Sequence, residues 1–116
     1  MDSLLSGSQA LRAGQPVAYL LLTAVGGSQQ RLVLRYGQHT ADWSAHRNRP
    51  VAGDQASRVP SPAPWLTWYA GAGSLAQRYR ATWRLDAPLA VERVALVRAE
   101  DLAPEVELTI LSVATR

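Results

Sequence analysis

The sequence predicts an all-β fold, an antiparallel, jelly-roll-like β-sandwich with a short helical turn near the N-terminus. Several short segments alternate polar and apolar residues, as half-buried strands do, and residues typical of turns lie between them. No long segment has a helical period, which favours a sandwich over units that alternate strands with helices. We divide the 116 residues into an N-terminal extension, 1–15, and a single sandwich domain, 16–116.

The first third of the chain contains a predicted helical turn and a predicted hairpin. Ser3–Leu11 carries three leucines at spacings that suit one short helical turn. Pro16–Val25 is a leucine-rich run that ends at Gly26–Ser28, and Arg31–Tyr36 then alternates polar and apolar residues. Two apolar runs joined by a glycine-rich turn are typical of a β-hairpin.

A proline-rich segment separates the hairpin from the remaining strands. Residues 47–64 contain four prolines among polar residues, which predicts a long surface loop without a helix or central strand. Trp65–Ala70 follows as a short aromatic strand. We expect Gln77–Leu85 to form a strand with one apolar face and one face carrying arginines.

The C-terminal region contributes two further predicted strands. Val91–Val97 is a run rich in β-branched residues, although Ala87–Ala99 could also form a helix. In Glu105–Ile110 polar and apolar residues alternate again. Together with the earlier segments, these runs make six countable strands.

Composition excludes several kinds of site and partner. The chain has no cysteine, so disulfides and thiolate chemistry are absent. Its net charge is +3, but the arginines are scattered along the chain, so we predict no nucleic-acid partner. The longest apolar run, Val17–Val25, is far shorter than the roughly 20 residues of a membrane helix. We therefore predict no transmembrane segment, and we also predict no cofactor.

Four stretches of the chain resemble a known class of β-sandwich. Gly14–Ala18, Leu34–Trp43, Arg78–Trp83 and Leu108–Val113 are similar to bacterial modules of the galactose-binding-like, jelly-roll kind. Such modules are often appended to carbohydrate-active or membrane-bound glycosyl-transferring proteins. The resemblance implies a non-catalytic accessory module in an extracytoplasmic or cell-envelope setting, with loops at one end available for a glycan. The chain lacks the acidic loop that holds calcium in many relatives.

The most specific element of this resemblance is a structural motif that overlaps three candidate metal ligands. The motif consists of Gly37, Asp42 and Trp43. His39, Asp42 and His46 would share one face of a helix and could then bind a divalent cation. We favour a loop, in which Asp42 caps a turn and Trp43 packs beneath it, and we predict no metal site.

The predicted ligand site lies around the proline-rich loop. Trp65 and Tyr69 are candidates to stack on the apolar face of a sugar, while His46, Arg47 and Arg49 could bond to its hydroxyl groups. The alternative is that the rings pack in the core, since a chain without phenylalanine must build its core from other large residues.

No enzymatic site is predicted. Gly71–Ala76 fits the glycine pattern of dinucleotide-binding loops, but the strand period that follows it favours a plain turn. No serine, histidine and acidic residue stand in a recognisable catalytic context. The arginines Arg78, Arg80 and Arg84 form a cationic stripe that could meet an acidic partner or simply be solvated.

The run Tyr19–Leu22 is apolar on both faces of its strand, so something must cover its outer face. We expect Leu20 and Leu22 to lie under the N-terminal segment, or under a parent domain or another copy in a homo-oligomer. The predicted function is a non-catalytic carbohydrate-binding or interaction module of a larger cell-envelope system. The alternative is a structural subunit that packs in a homo-oligomer or a larger complex.

Overall fold

The fold was analysed in a computed structural model, which describes residues 1–7, 11–43, 57–60 and 77–114. These residues contain no helix, and therefore no helix that could cross a membrane. They form seven strands: β1 (Asp2–Ser6), β2 (Pro16–Ala24), β3 (Gln29–Arg35), β4 (Ser57–Pro60), β5 (Gln77–Arg80), β6 (Val91–Arg98) and β7 (Glu107–Ser112).

The strands form two antiparallel sheets that share an apolar core. One sheet has four strands in the order β4-β5-β1-β7, and the other has three in the order β3-β2-β6. A cluster of buried residues joins them, with Leu5 from β1, Leu20 from β2 and Leu34 from β3 among its members. This arrangement confirms the all-β prediction and is sandwich-like, because side chains of both sheets meet in one interior.

The predicted hairpin is confirmed. Strands β2 and β3 pair in an antiparallel register that sets Leu20 opposite Leu32 and Thr23 opposite Gln29. The turn between them contains Gly26 and Gly27, with φ of 102° and 93°. Only glycine adopts such angles readily, so these two residues allow the chain to reverse direction here.

Strand β1 differs from the prediction for the N-terminus. Asp2–Ser6 is extended, so its residues are not part of the predicted helical turn, and residues 8–10 of that turn lie outside the described residues. Within the range predicted as an extension, β1 is in fact an inner strand that pairs with β5 on one side and with β7 on the other. Pairing across the whole chain outweighs the local helical preference of its leucines.

Strand β4 corrects the prediction of a loop through residues 47–64. Ser57–Pro60 pairs with β5 and lies at the edge of the four-stranded sheet. The prolines exclude a central strand, but an edge strand tolerates proline where the missing N–H would not have paired. The predicted strand Trp65–Ala70 and the turn at Gly71–Ala76 lie outside the described residues.

The alternation predicted for the later strands is confirmed. In and after β5, Tyr79 and Ala81 are buried, while Arg80 and Thr82 between and after them are exposed. The segment that could have been helical is strand β6. Val106 is buried before β7 begins, and the residues on either side of it are exposed.

The structure places Leu20 and Leu22 on a different face from the one that needed a cover. Both side chains are buried on the inner face of their sheet, so the prediction that they form a contact with a parent domain or another copy is wrong. Leu20 belongs to a buried cluster that contains Leu5 of β1 and residues from several other parts of the chain. Cover of both leucines by the N-terminal segment stays a prediction. The outer face of β2 instead carries Tyr19 and Leu21, because side chains alternate along a strand.

Candidate functional site

The segment after β3 forms a tight turn and then runs beside β1. Gly37 has a φ of 77°, and its N–H donates to the carbonyl of Thr40 at 2.8 Å. The N–H of Leu5 donates to the carbonyl of Ala41, and the carbonyl of Leu5 accepts from the N–H of Trp43, both at 2.9 Å. The motif therefore pairs with β1 at Leu5, beyond the two residues of β1 that pair with β5.

His39 and Asp42 are both buried in this segment. Nδ1 of His39 accepts a hydrogen bond from the N–H of Arg35 at 2.9 Å, and its ring lies 5.1 Å from that of Trp83. The carbonyl of Asp42 accepts from the hydroxyl of Tyr79 at 3.0 Å. These contacts tie the turn to the strand β5 and to the residues that follow it.

The same geometry removes the helix on which a metal site would have depended. Residues 36–43 form a turn and two isolated bridges, so His39 and Asp42 do not share a helix face. His46 lies outside the described residues. Within the ranges that the structure describes, no group of three potential ligands is close enough to hold a metal ion.

Two of the three arginines in the predicted cationic stripe belong to an ion-pair cluster. Nε of Arg80 donates to Oδ1 of Asp2 at 2.8 Å, and its Nη2 donates to Oδ2 at 3.0 Å. Nε of Arg78 lies 3.8 Å from the same carboxylate. The hydrogen bond from Arg80 lowers the pKa of Asp2 despite its desolvation. This face of β5 is therefore partly neutralised, and Arg84 beyond it is exposed.

The residues predicted to bind a ligand lie outside the described residues. They are His46, Arg47, Arg49, Trp65 and Tyr69. Glycan binding therefore stays a prediction.

Among the described strands, β6 exposes three large apolar side chains. Val94, Leu96 and Val97 are 39%, 46% and 44% exposed, although all three are apolar. Val94 and Leu96 stand opposite Leu22 and Leu20, so they lie on the inner face of their sheet. They are nevertheless exposed, so the four-stranded sheet does not cover this part of the inner face. Val97 stands opposite Tyr19 on the outer side.

Val97 also belongs to an apolar row on the outer face of the three-stranded sheet. Tyr19 of β2 is paired with Val33 on one side and with Val97 on the other. The guanidinium of Arg31 lies 4.8 Å from the centre of the Tyr19 ring, within the range of a cation–π contact. We call the exposed part of β6, Val94 to Val97, the β6 edge.

Sequence reasoning did not identify the β6 edge as a site. The pattern was available, because Val94–Val97 is four successive apolar residues with a charged residue on either side. Tyr19–Leu22 is likewise four successive apolar residues, for which the sequence predicts a cover. Among the described strands β2 is an inner strand and β6 an edge strand, and this difference is visible only in the sheet order.

Comparison of the chain with models of protein families, with curated proteins and with solved structures finds no match. The functional argument therefore depends on the geometry of the chain itself.

Proposed function

We propose that the protein is a non-catalytic interaction module, a structural subunit that docks to another protein through the β6 edge. The observation that carries this proposal is the exposure of Val94, Leu96 and Val97 on one edge strand. Apolar side chains on both faces of the same strand lose contact with water when a partner adds a strand or a sheet beside it.

The chemistry of the β6 edge supports this use. Natural proteins protect edge strands from unwanted pairing with lysine, proline or inward-pointing charges. Val94–Val97 contains none of these, and its only charged neighbours are Arg93 and Arg98 at its two ends. An unprotected apolar centre with charged ends has the composition expected of an interface core and its rim.

The placement among jelly-roll, galactose-binding-like modules of the cell envelope is a separate proposal, and glycan binding depends on it. Titration of oligosaccharides against the protein and against Trp65→Ala, followed by tryptophan fluorescence, tests that ligand. Saturable binding that is lost in Trp65→Ala would add a glycan site to the docking function. No response to any glycan would leave the interaction module alone.

Site-specific photo-crosslinking in the cells that make the protein tests the docking function. A photoreactive amino acid is placed at Val97, and in a matched control at Val25, which is 70% exposed in the β2–β3 turn. We expect an adduct of defined mass from position 97 and none from position 25. Equal, diffuse labelling from both positions would overturn the proposal.

A further inference from the structure

The backbone of β6 forms hydrogen bonds with β2 along one side, and no described residue pairs with its other side. The N–H of Ala99 donates to the carbonyl of Val17 at 3.1 Å, just beyond the β2–β6 ladder. Backbone groups alternate in direction along a strand, so Ala95 and Val97 also face β2. Val94 and Leu96 therefore direct their N–H and C=O groups away from β2, where a further strand would bond.

We propose that a second copy of this chain occupies that side, with the two β6 strands antiparallel and Ala95 opposite Ala95 across a two-fold axis. The proposal rests on the docking function of the β6 edge and names its partner. The two three-stranded sheets would then become one continuous six-stranded sheet. A two-fold axis makes each strand both donor and acceptor, so both edges are satisfied by one contact.

The alternation of faces restricts the registers available to such a pair. Directly opposed residues of antiparallel strands share a face, so an inner-face residue can oppose only an inner-face residue of the second copy. A register centred on Val94 sets Glu92 opposite Leu96, and one centred on Leu96 sets Val94 opposite Arg98. Each places a charge against an apolar side chain on the inner face. Centred on Ala95, Val94 and Leu96 oppose each other on the inner face in both halves. Arg93 then lies opposite Val97 on the outer face, where its aliphatic stem packs beside the valine and its charge stays in solvent.

Charge selects the same register. With Ala95 at the centre, Glu92 near the start of β6 stands opposite Arg98 at its end, and the two-fold axis repeats this pair. The guanidinium of Arg98 also donates to the carbonyls of Val106 and Ala103 in its own chain, so the pair adds a charge contact to a side chain that is already held in place. Exposed pairs of this kind stabilise little, but like charges in the same places would oppose association. The inner-face residues of β6 are thus complementary to those of a second copy, with Val94 and Leu96 between the paired charges of Glu92 and Arg98.

The β7 edge of the four-stranded sheet offers no such match. Strand β7 also exposes an apolar residue, Leu111, at 40%. Its one charged residue is Glu107, so antiparallel pairing with a second β7 has no basic residue of that strand to oppose it. Leu111 therefore provides a control of similar exposure on a strand that the proposal leaves free.

Sedimentation of the purified chain over a range of concentrations tests the association. We expect a reversible dimer of the 12.6 kDa chain. Leu96→Glu should weaken the dimer at least tenfold, because it sets a carboxylate against Val94 of the second copy, and Leu111→Glu should leave it unchanged. Circular dichroism confirms that both variants fold. An unaffected dimer in Leu96→Glu, or a monomer at every concentration in the parent chain, would overturn the proposal.

The register is tested with single cysteines, since the natural chain has none. Ala95 would be a non-hydrogen-bonded pair with its own copy, where the Cα atoms lie about 4.5 Å apart, close enough for a disulfide. Ala95→Cys should therefore form a disulfide-linked dimer in a mild redox buffer, while the more exposed Arg93→Cys should not. Equal linkage in both variants would exclude this register.

The mass of the photo-adduct at Val97 separates this proposal from the function on which it rests. An adduct of twice the chain mass supports both. An adduct with a different protein retains the docking function and overturns self-pairing. The absence of an adduct beyond that of the Val25 control overturns the docking function as well.

Discussion

Strands β1 and β6 both mix apolar and polar residues, but the chain uses them in opposite ways. Strand β1 lies between β5 and β7, and its residues Asp2 to Leu5 are all buried. Strand β6 has a described neighbour on one side only, and six of its eight residues are exposed, all except Val91 and Ala95. The comparison teaches that position in the sheet order, rather than β propensity, determines burial here.

The two strands also differ in their polar contacts. The hydroxyl of Ser3 donates to that of Thr40 at 2.9 Å in the interior, and Asp2 is held by Arg80. On β6, Arg98 donates to the carbonyls of Val106 and Ala103 in the connection to β7. Side-chain hydrogen bonds thus hold β1 through Asp2 and Ser3. On β6 the side-chain hydrogen bonds described here are those of Arg98 at its end, so the centre of the strand stays free to contact a partner.

The largest expected effect comes from truncating one leucine in each strand. Leu5 is fully buried, so Leu5→Ala should lower the free energy of unfolding by about 2–5 kcal/mol. Leu96→Ala, at 46% exposure, should change it by less than about 1 kcal/mol in dilute monomer. Urea unfolding of both variants measures the difference. Equal losses would show that β6 is as well packed as β1.

The end of β1 provides the second test. Gly7 has a φ of 67°, and a Cβ there would overlap the carbonyl oxygen of Glu105. Gly7→Ala should cost roughly 1–3 kcal/mol from the backbone angle alone, and more because the residues before β7 must move. Gly26→Ala is the control, since its φ is also positive but its Cβ would meet no atom within 4 Å. The midpoint temperature of thermal unfolding should be lower for Gly7→Ala than for Gly26→Ala. The reverse order would contradict the close approach of Gly7 to the carbonyl of Glu105.

A smaller effect is expected from the bond that ties β5 to the turn segment. Tyr79→Phe keeps the buried ring but removes the hydroxyl that donates to the carbonyl of Asp42. The loss should be about 1 kcal/mol, the usual net contribution of one hydrogen bond. Urea midpoints measure it, and amide exchange at Trp43 should quicken if the segment loosens. An unchanged midpoint would mean that this bond does not hold the segment.

The smallest effect concerns pH. The pKa of Asp2 is lowered, chiefly by its hydrogen bond from Arg80, so its contribution to stability is present above the ordinary carboxyl pKa of about 3.9. That contribution is lost as the pH falls through the lower value in the folded chain. Between pH 6 and pH 3, the parent chain should therefore lose more stability than Asp2→Asn. If the free energy of unfolding falls equally with pH in the two proteins, the ion pair of Asp2 with Arg80 is excluded as a source of acid sensitivity.

The sequence by itself determined the elements whose causes are local. Glycines at the turn and apolar runs on either side predict the hairpin of β2 and β3, and the alternation after Gln77 and around Val106 predicts which side chains are buried. These patterns are readable because a strand has a side-chain period of two and a tight turn requires particular residues.

Only the tertiary structure decided the roles of β1, β4 and β6. Strand β1 pairs with residues more than 70 positions away, and no local pattern in five residues encodes that partner. The sheet order places β4 at an edge, where its proline is tolerated, and leaves the centre of β6 exposed despite its apolar residues. The candidate site was therefore not predictable, because exposure of an apolar strand depends on which neighbours it lacks, and neighbours in a sheet are set by contacts between distant parts of the chain.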